Sequence, residues 1–322
     1  MKLIKWGIIG CGDVAEVKSG PAFNKVNNSK LIAVMRRDAK KAEDFAIRHK
    51  VSLWYDSVDK LLENKEINAV YIATPPSTHL EIAKKCLLVN KYLYLEKPIT
   101  LNFSEAKELS DLINKQTKLV VAHYRRKLPA FLKVKELIDS GSIGNILHVD
   151  VQILQSKNKN VIVQTDDNWR LKPEISGGGY FHDIAPHQID LMYYFFGDIK
   201  KAEGFSTSLK NNKVADIING CIEFKNGIQF KGLWNFNVSD KDIKDECKIY
   251  GEKGTISFSF YGESVFLSTL EKEETFSFKN PKNIQKPMIE STVNYFLEKE
   301  KNPCPIESGL TTMKILDLFT KK

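Results

Sequence analysis

Residues 3–15, Leu-Ile-Lys-Trp-Gly-Ile-Ile-Gly-Cys-Gly-Asp-Val-Ala, constrain this chain most, because they read as a buried strand running into a glycine turn and then a helix. That order is the opening of a dinucleotide-binding βαβ unit. Gly10 would allow the tight turn and Gly12 a close backbone approach to a pyrophosphate. Ala15, small in place of a third glycine, would let the helix lie close on the sheet. Asp13 and Val14 complete the turn, and the pyrophosphate would sit at the helix N-terminus, where free N–H groups and the dipole favour anions. The bland alternative is a purely structural turn.

The next predicted strand, Lys30-Leu-Ile-Ala-Val-Met-Arg-Arg-Asp38, stops at two arginines about 20 residues past the glycines, where NAD sites carry an acid for the ribose hydroxyls. Arg36 or Arg37 cannot accept from a 2′-hydroxyl, but a guanidinium fork suits a 2′-phosphate and its plane can stack on adenine. NADP(H) is therefore the expected cofactor, with NAD(H) the alternative. In that alternative both arginines are solvated and Asp38 takes the ribose.

At 322 residues, 42% hydrophobic and 27% charged, the chain has room for two cores and an ordinary globular composition. The net charge of +8 comes from lysines scattered along the chain rather than gathered in a basic tail, which argues against a nucleic-acid partner. Five cysteines, odd in number and without a C-x-x-C, indicate neither a disulfide framework nor a zinc site, and suggest reduced thiols in a cytoplasm. No apolar run approaches the ~20 residues of a membrane span.

Strand and helix patterns alternate through residue 123, as a doubly wound parallel sheet requires. Thr78 with Glu81, and Asn102 with Glu105, read as capping boxes. Beyond residue 123 a helix at Pro129–Asp139, a long strand at Ile146–Gln155 and a polar loop at Ser156–Ile175 follow. Gly177-Gly178-Gly179 then precedes a helix expected from Asp183 to Phe196, with Pro186 in its first turn. Alternating segments from Lys201 to Phe278 predict a mostly antiparallel sheet, and two helices close the chain. The expected architecture is α/β, with a Rossmann domain at 1–123 and an α/β substrate-binding and oligomerisation domain at 124–322. The run Ile228–Trp234 puts large apolar groups on one strand face, which predicts a homodimer or homotetramer through that sheet.

Asp183 and His187 are spaced i,i+4, so on a helix they share a face that Asp190 continues. A neutral histidine there can take the proton of a sugar hydroxyl as hydride leaves its carbon. The alternative is a simple hydrogen bond at a helix start. A metal would need a third ligand, and His182 lies off that face, so none is expected.

Taken together, Gly10-Cys-Gly12-Asp-Val-Ala15, Ala73-Thr74-Pro75-Pro76-x-x-His79, Glu96-Lys97-Pro98, Trp169-Arg170, Gly177-Gly178-Gly179 and Asp183-x-x-x-His187 resemble the glucose–fructose oxidoreductase / inositol dehydrogenase / rhizopine catabolism (Gfo/Idh/MocA) family over essentially the whole chain. The resemblance implies that Lys97 faces the nicotinamide ribose and the substrate hydroxyl, with a cis Lys97–Pro98 bond. It implies that His187 moves the proton, that Asp183 holds substrate or lysine, and that Glu96 is structural or near the nicotinamide. Thr74, Pro75 and His79 would line the cofactor, Arg170 would reach the cofactor or substrate rim, and Tyr180 would wall the pocket. Some NADP-dependent relatives carry tyrosine at the His187 position. The resulting expectation is hydride transfer between a nicotinamide and a secondary alcohol or ketone of a sugar, polyol or diol. The competing class is a cofactor-binding sensor without turnover.

Overall fold

The apolar Ile4–Ile9 run forms β1, the inner strand of a six-stranded parallel sheet with β2 (Ser29–Met35), β3 (Leu53–Tyr55), β4 (Ala69–Ile72), β5 (Tyr92–Leu95) and β6 (Leu119–Val121). Their order is β3-β2-β1-β4-β5-β6, and every neighbouring pair is parallel. Such strands are buried on both faces, which is why β4 reads as an unbroken apolar run with all four residues buried. Chain order reverses between β1 and β4. A crevice at the carboxyl ends of strands follows from that reversal.

The computed structural model describes residues 2–12, 14–156, 168–209 and 212–320. They form two units: residues 1–125 with Pro281–Leu310, and Arg126–Asn280 with the residues from Thr311 onward. The division expected at 123/124 placed residues 281–310 in the second domain. They complete the first unit instead, because the Phe296 ring lies 5.7 Å from Trp6 and 5.1 Å from Tyr92, and the Cys304 carbonyl accepts from the Val121 N–H.

Where a regular helix was expected after the glycine turn, the backbone makes a π-helical turn, Val14–Ser19, and then a short α-helix, Gly20–Phe23. Gly20 is a close-approach position, since any side chain there would collide with the Ala15 carbonyl. The Asn102 cap forms as read, Oδ1 accepting from Glu105 N at 2.9 Å. The Thr78 cap does not. Its hydroxyl is spent on the preceding turn, 2.7 Å from Thr74 Oγ1 and 3.0 Å from the Pro75 carbonyl.

The second unit is built on an eight-stranded sheet of β7 (Ile146–Leu154), β8 (Ile199–Thr207), β9 (Ile217–Phe224), β10 (Gln229–Asn235), β11 (Lys244–Gly251), β12 (Gly254–Phe258), β13 (Ser264–Thr269) and β14 (Glu273–Ser277). The order is β14-β13-β12-β11-β7-β10-β9-β8, antiparallel except for the β7–β10 pair. One face carries the helix Gly179–Phe196. Phe181 meets Trp234 at 5.2 Å, and Trp234 Nε1 donates to Gln188 Oε1 at 3.2 Å.

Two expectations for this unit are corrected, the helix start and the exposed apolar strand face, and packing explains the glycines before the helix. The helix begins at Gly179, capped by Ser176 Oγ accepting from Gly179 N at 3.0 Å, so Pro186 lies inside it and not in its first turn. The triple glycine serves internal packing, because a Cβ on Gly178 would strike the His182 ring and one on Gly179 would strike Val214. Phe230 and Trp234 of β10 are covered within the unit, while the opposite face of that strand presents Gln229, Lys231, Leu233 and Asn235.

Candidate active site

The glycine turn sits at the strand-order reversal. Gly10 has φ +97°, which only glycine adopts without strain, and a Cβ on it would come within 2.8 Å of the Ala73 and Thr74 backbone. Gly12 faces open space: among the described residues, its chain neighbours apart, no atom lies within 4 Å of where its Cβ would be. The first glycine is therefore required by the fold, whereas the second leaves room that no side chain of the described residues fills. Asp13 lies outside the described residues. Val14 opens the helical turn and Ala15 is fully buried.

At the end of β2, Arg36 is half-buried and its Nη1 donates to the Cys11 carbonyl at 3.0 Å, tying the guanidinium to the glycine turn. Arg37 is exposed. Asp38 caps the helix Ala39–His49, Oδ1 accepting from Lys41 N at 3.2 Å, and Oδ2 lies 3.9 Å from the Lys41 ammonium. The Cys11 thiol is buried and donates toward the Met35 carbonyl, and burial pushes its pKa up to about 11. It is a packing group, not a nucleophile.

Lys97 follows β5, is half-buried, and precedes a cis bond to Pro98. Two buried side chains hold the peptides around it. Glu96 Oε2 accepts from the Lys97 N–H at 3.2 Å, while Glu96 Oε1 accepts from the Tyr71 hydroxyl at 2.6 Å and from Gln285 Nε2 at 2.8 Å. On the other side, His79 Nδ1 lies 3.0 Å from the Pro98 carbonyl and Nε2 lies 2.7 Å from the Thr74 carbonyl. The His79 ring is fully buried, and both of its nitrogens face protein carbonyls. Burial holds it below its ordinary pKa, offset in part by the Thr74 and Pro98 carbonyls. Thr74 and Pro75 are half-buried in the turn after β4.

In the second unit the helix Gly179–Phe196 places Asp183, His187 and Asp190 on successive turns of one face. His187 is 6% exposed. Asp183 is the more open, and its Oδ2 accepts from Arg170 Nε at 2.8 Å. Arg170 also lies over the Trp169 ring at 4.7 Å, so its guanidinium is held between an acid and an aromatic face, where the expectation was a place at the cofactor or substrate rim. Tyr180 is half-buried against Phe236, with its hydroxyl accepting from Asn168 Nδ2 at 3.3 Å. Asp190 takes two bonds from Arg126, at 2.6 and 2.8 Å, both side chains almost wholly buried. Among the described residues no group of three or more metal-ligating side chains occurs.

Two of the groups around Lys97 were not singled out from sequence. A tyrosine inside a buried strand carries a hydroxyl that needs a partner, so Tyr71 did leave a signal. Gln285 left none, being 189 residues from Glu96.

Residues 4–124 match the oxidoreductase family with an NAD-binding Rossmann fold, and residues 131–257 match the GFO/IDH/MocA C-terminal domain. Oxidoreductase P35 of Formosa agariphila is 52% identical over 318 residues, 98% of each chain. The chain belongs to the Gfo/Idh/MocA oxidoreductase family. A levoglucosan dehydrogenase solved with NADH and levoglucosan shares the fold at a TM-score of 0.87 and 20% identity, covering 98% of this chain and 96% of that one. So does a 3-ketoreductase from Actinomadura kijaniata solved with NADP and TDP-benzene, at 0.83, 20% identity, 98% and 96%. This Gfo/Idh/MocA member is thus an NAD(P)-dependent oxidoreductase, and one fold accommodates either cofactor. No helix among the described residues is long and apolar enough to cross a membrane.

Proposed function

We propose that this chain is an NADP(H)-preferring oxidoreductase acting on a secondary alcohol or ketone of a sugar, polyol or related diol. The observation that carries the cofactor choice is the end of β2, where Arg36 is tied to the glycine turn and Asp38 is committed to a helix cap. A carboxylate in that role is a poor partner for ribose hydroxyls, and a guanidinium held there suits a 2′-phosphate. Open space beside Gly12 fits a pyrophosphate. The sugar-like substrate class is supported by levoglucosan, the ligand of a dehydrogenase with the same fold.

A bound nicotinamide supplies the hydride acceptor or donor. Lys97 places positive charge where alkoxide charge develops, which is the term that water-poor sites amplify. His187 accepts the hydroxyl proton in oxidation and returns it in reduction. Asp183, held by Arg170, orients the substrate hydroxyl. A sensor without turnover has no need of all three groups together.

The test is a screen of sugars, inositols, keto-sugars and diols with NADP(H) and NAD(H), read at the reduced-nicotinamide absorbance band. NADP(H) should bind at least tenfold more tightly, from a charge-assisted contact worth about 1.5–3 kcal/mol. Arg36→Asp with Arg37→Ala should narrow or reverse that preference. Equal affinities in the wild type would overturn the cofactor assignment, and no turnover on any of these classes would overturn the reaction.

A further inference from the structure

Gln285 belongs to the segment that joins the first unit after the chain has built the eight-stranded sheet. It is 1% exposed, and its amide has only one workable orientation. The Tyr94 hydroxyl donates to Gln285 Oε1 at 3.0 Å, which leaves Nε2 to donate to Glu96 Oε1 at 2.8 Å. The same carboxyl oxygen takes the Tyr71 hydroxyl, itself 3.2 Å from Ser19 Oγ, and the other oxygen takes the Lys97 N–H. Three protein donors thus converge on Glu96. A carboxylate bound this way is turned inward and is not offered to a ligand.

We propose that Gln285 is a positioning residue for Lys97, acting through Glu96. This rests on the role given to Lys97 above. Removing one donor from a satisfied buried network exposes the remaining groups to the full desolvation penalty and lets the carboxyl re-aim. The group that re-aims is bonded to the N–H of the residue whose ammonium must meet the substrate. A misplacement of about 1 Å at a reacting centre costs on the order of a hundredfold in rate. The titratable groups coupled to Glu96 are Tyr71 from β4, Tyr94 from β5 and His79 from the helix His79–Leu88, and Tyr94 is coupled in turn to Cys304 and Tyr124.

The decisive variant is Gln285→Glu, isosteric but placing a second carboxyl against Glu96. Two carboxyls in one buried site share a proton and titrate apart. At high pH the shared proton is lost and Glu96 is repelled, while at low pH it restores the missing donor. Relative to wild type, kcat should fall at least tenfold at pH 8 and recover to within threefold at pH 6, with NADPH affinity, read by fluorescence, changed less than threefold. A folded variant with wild-type kcat at pH 8 overturns the proposal, and so does a loss of equal size at both pH values. Tyr71→Phe, which removes a donor from the same oxygen, should lower kcat at least fivefold; it decides the question the same way if the first variant does not fold. A readout that needs no turnover separates this proposal from the functional one. In protein carrying 13C-dimethylated lysines, the Lys97 resonance, identified by its absence in Lys97→Arg, should move selectively in Gln285→Glu, and an unmoved resonance overturns the proposal even if no substrate is ever found.

Discussion

At the scale of single residues, Lys97 and His187 should be separable by kinetics, because one stabilises charge and the other moves a proton. His187→Ala should lower kcat by roughly 10²–10⁴ with NADPH binding nearly intact. Lys97→Ala should cost at least as much, and Lys97→Arg should not rescue it, since a guanidinium does not reproduce a point charge. Near-normal turnover in both alanine variants would refute the site. His79 makes a different prediction. It is held below its ordinary value of 6.5 by burial, so the folded chain binds a proton there less readily than the unfolded chain does. The unfolded state therefore binds more protons as pH falls through 6.5, and stability falls with it. Urea titrations between pH 7.5 and 5.5 should show this loss, and His79→Gln should flatten the curve by at most about 1.4 kcal/mol per pH unit. Parallel curves would mean that the ring does not titrate in this way.

At the scale of elements, the Arg126–Asp190 pair fastens the helix Gly179–Phe196 with two charge-assisted bonds under the Tyr194 ring, 5.0 Å from the Arg126 guanidinium. Arg126→Met should destabilise the chain by about 3–5 kcal/mol, because it removes the opposite charge from a buried carboxylate, whereas the double change with Asp190→Leu should restore much of the loss. Urea midpoints of the two variants check this, and equal losses in both would rule out charge as the cause. The sequence reading reached these elements unevenly, for physical reasons. Uninterrupted apolar strands and hairpin glycines announce themselves locally, so β1, β2, β4, β5, β6 and the turn at Gly227 were legible, whereas the three-residue edge strand β3, with Leu53 and Trp54 exposed, was not. Gly177–Gly179 looked like a loop because glycine is cheap there; the helix nevertheless starts at Gly179, where Val214 of a later segment leaves no room for a side chain. Thr78 had the right spacing for a cap but found nearer partners in Thr74 and Pro75. The glycine turn, Lys97 and the Asp183–His187 face carried motifs. Gln285 is set by tertiary contact alone, and no periodicity or spacing could mark it.

At the scale of the whole molecule, the sheet of the second unit has one face covered by helix and an outer face whose cross-strand rows can be read from the register. Glu203, Cys221, Lys231, Asp150, Lys248, Ser257 and Phe266 lie on one such row. The apolar excess that first suggested self-association is absent from β10, yet Phe205 is 67% exposed and Phe266 48% exposed at opposite ends of this face. Between them Lys231 and Asp150 lie 3.6 Å apart, and Asp150 Oδ1 is buried with no hydrogen-bond partner among the described residues. A homodimer or homotetramer through this face remains the expected assembly, and Cys221, the exposed cysteine, sits within it as a reporter. In a monomer the Cys221 thiol should react with a disulfide reagent within seconds while the buried Cys11, Cys86, Cys247 and Cys304 wait for denaturant. In an oligomer closed over the sheet all five should be slow at micromolar protein, and Cys221 should become fast only on dilution below the dissociation constant. Light scattering on the same samples gives the mass. A multimer with a fast Cys221 places the contact elsewhere on the chain, and a stable monomer at micromolar concentration refutes the assembly.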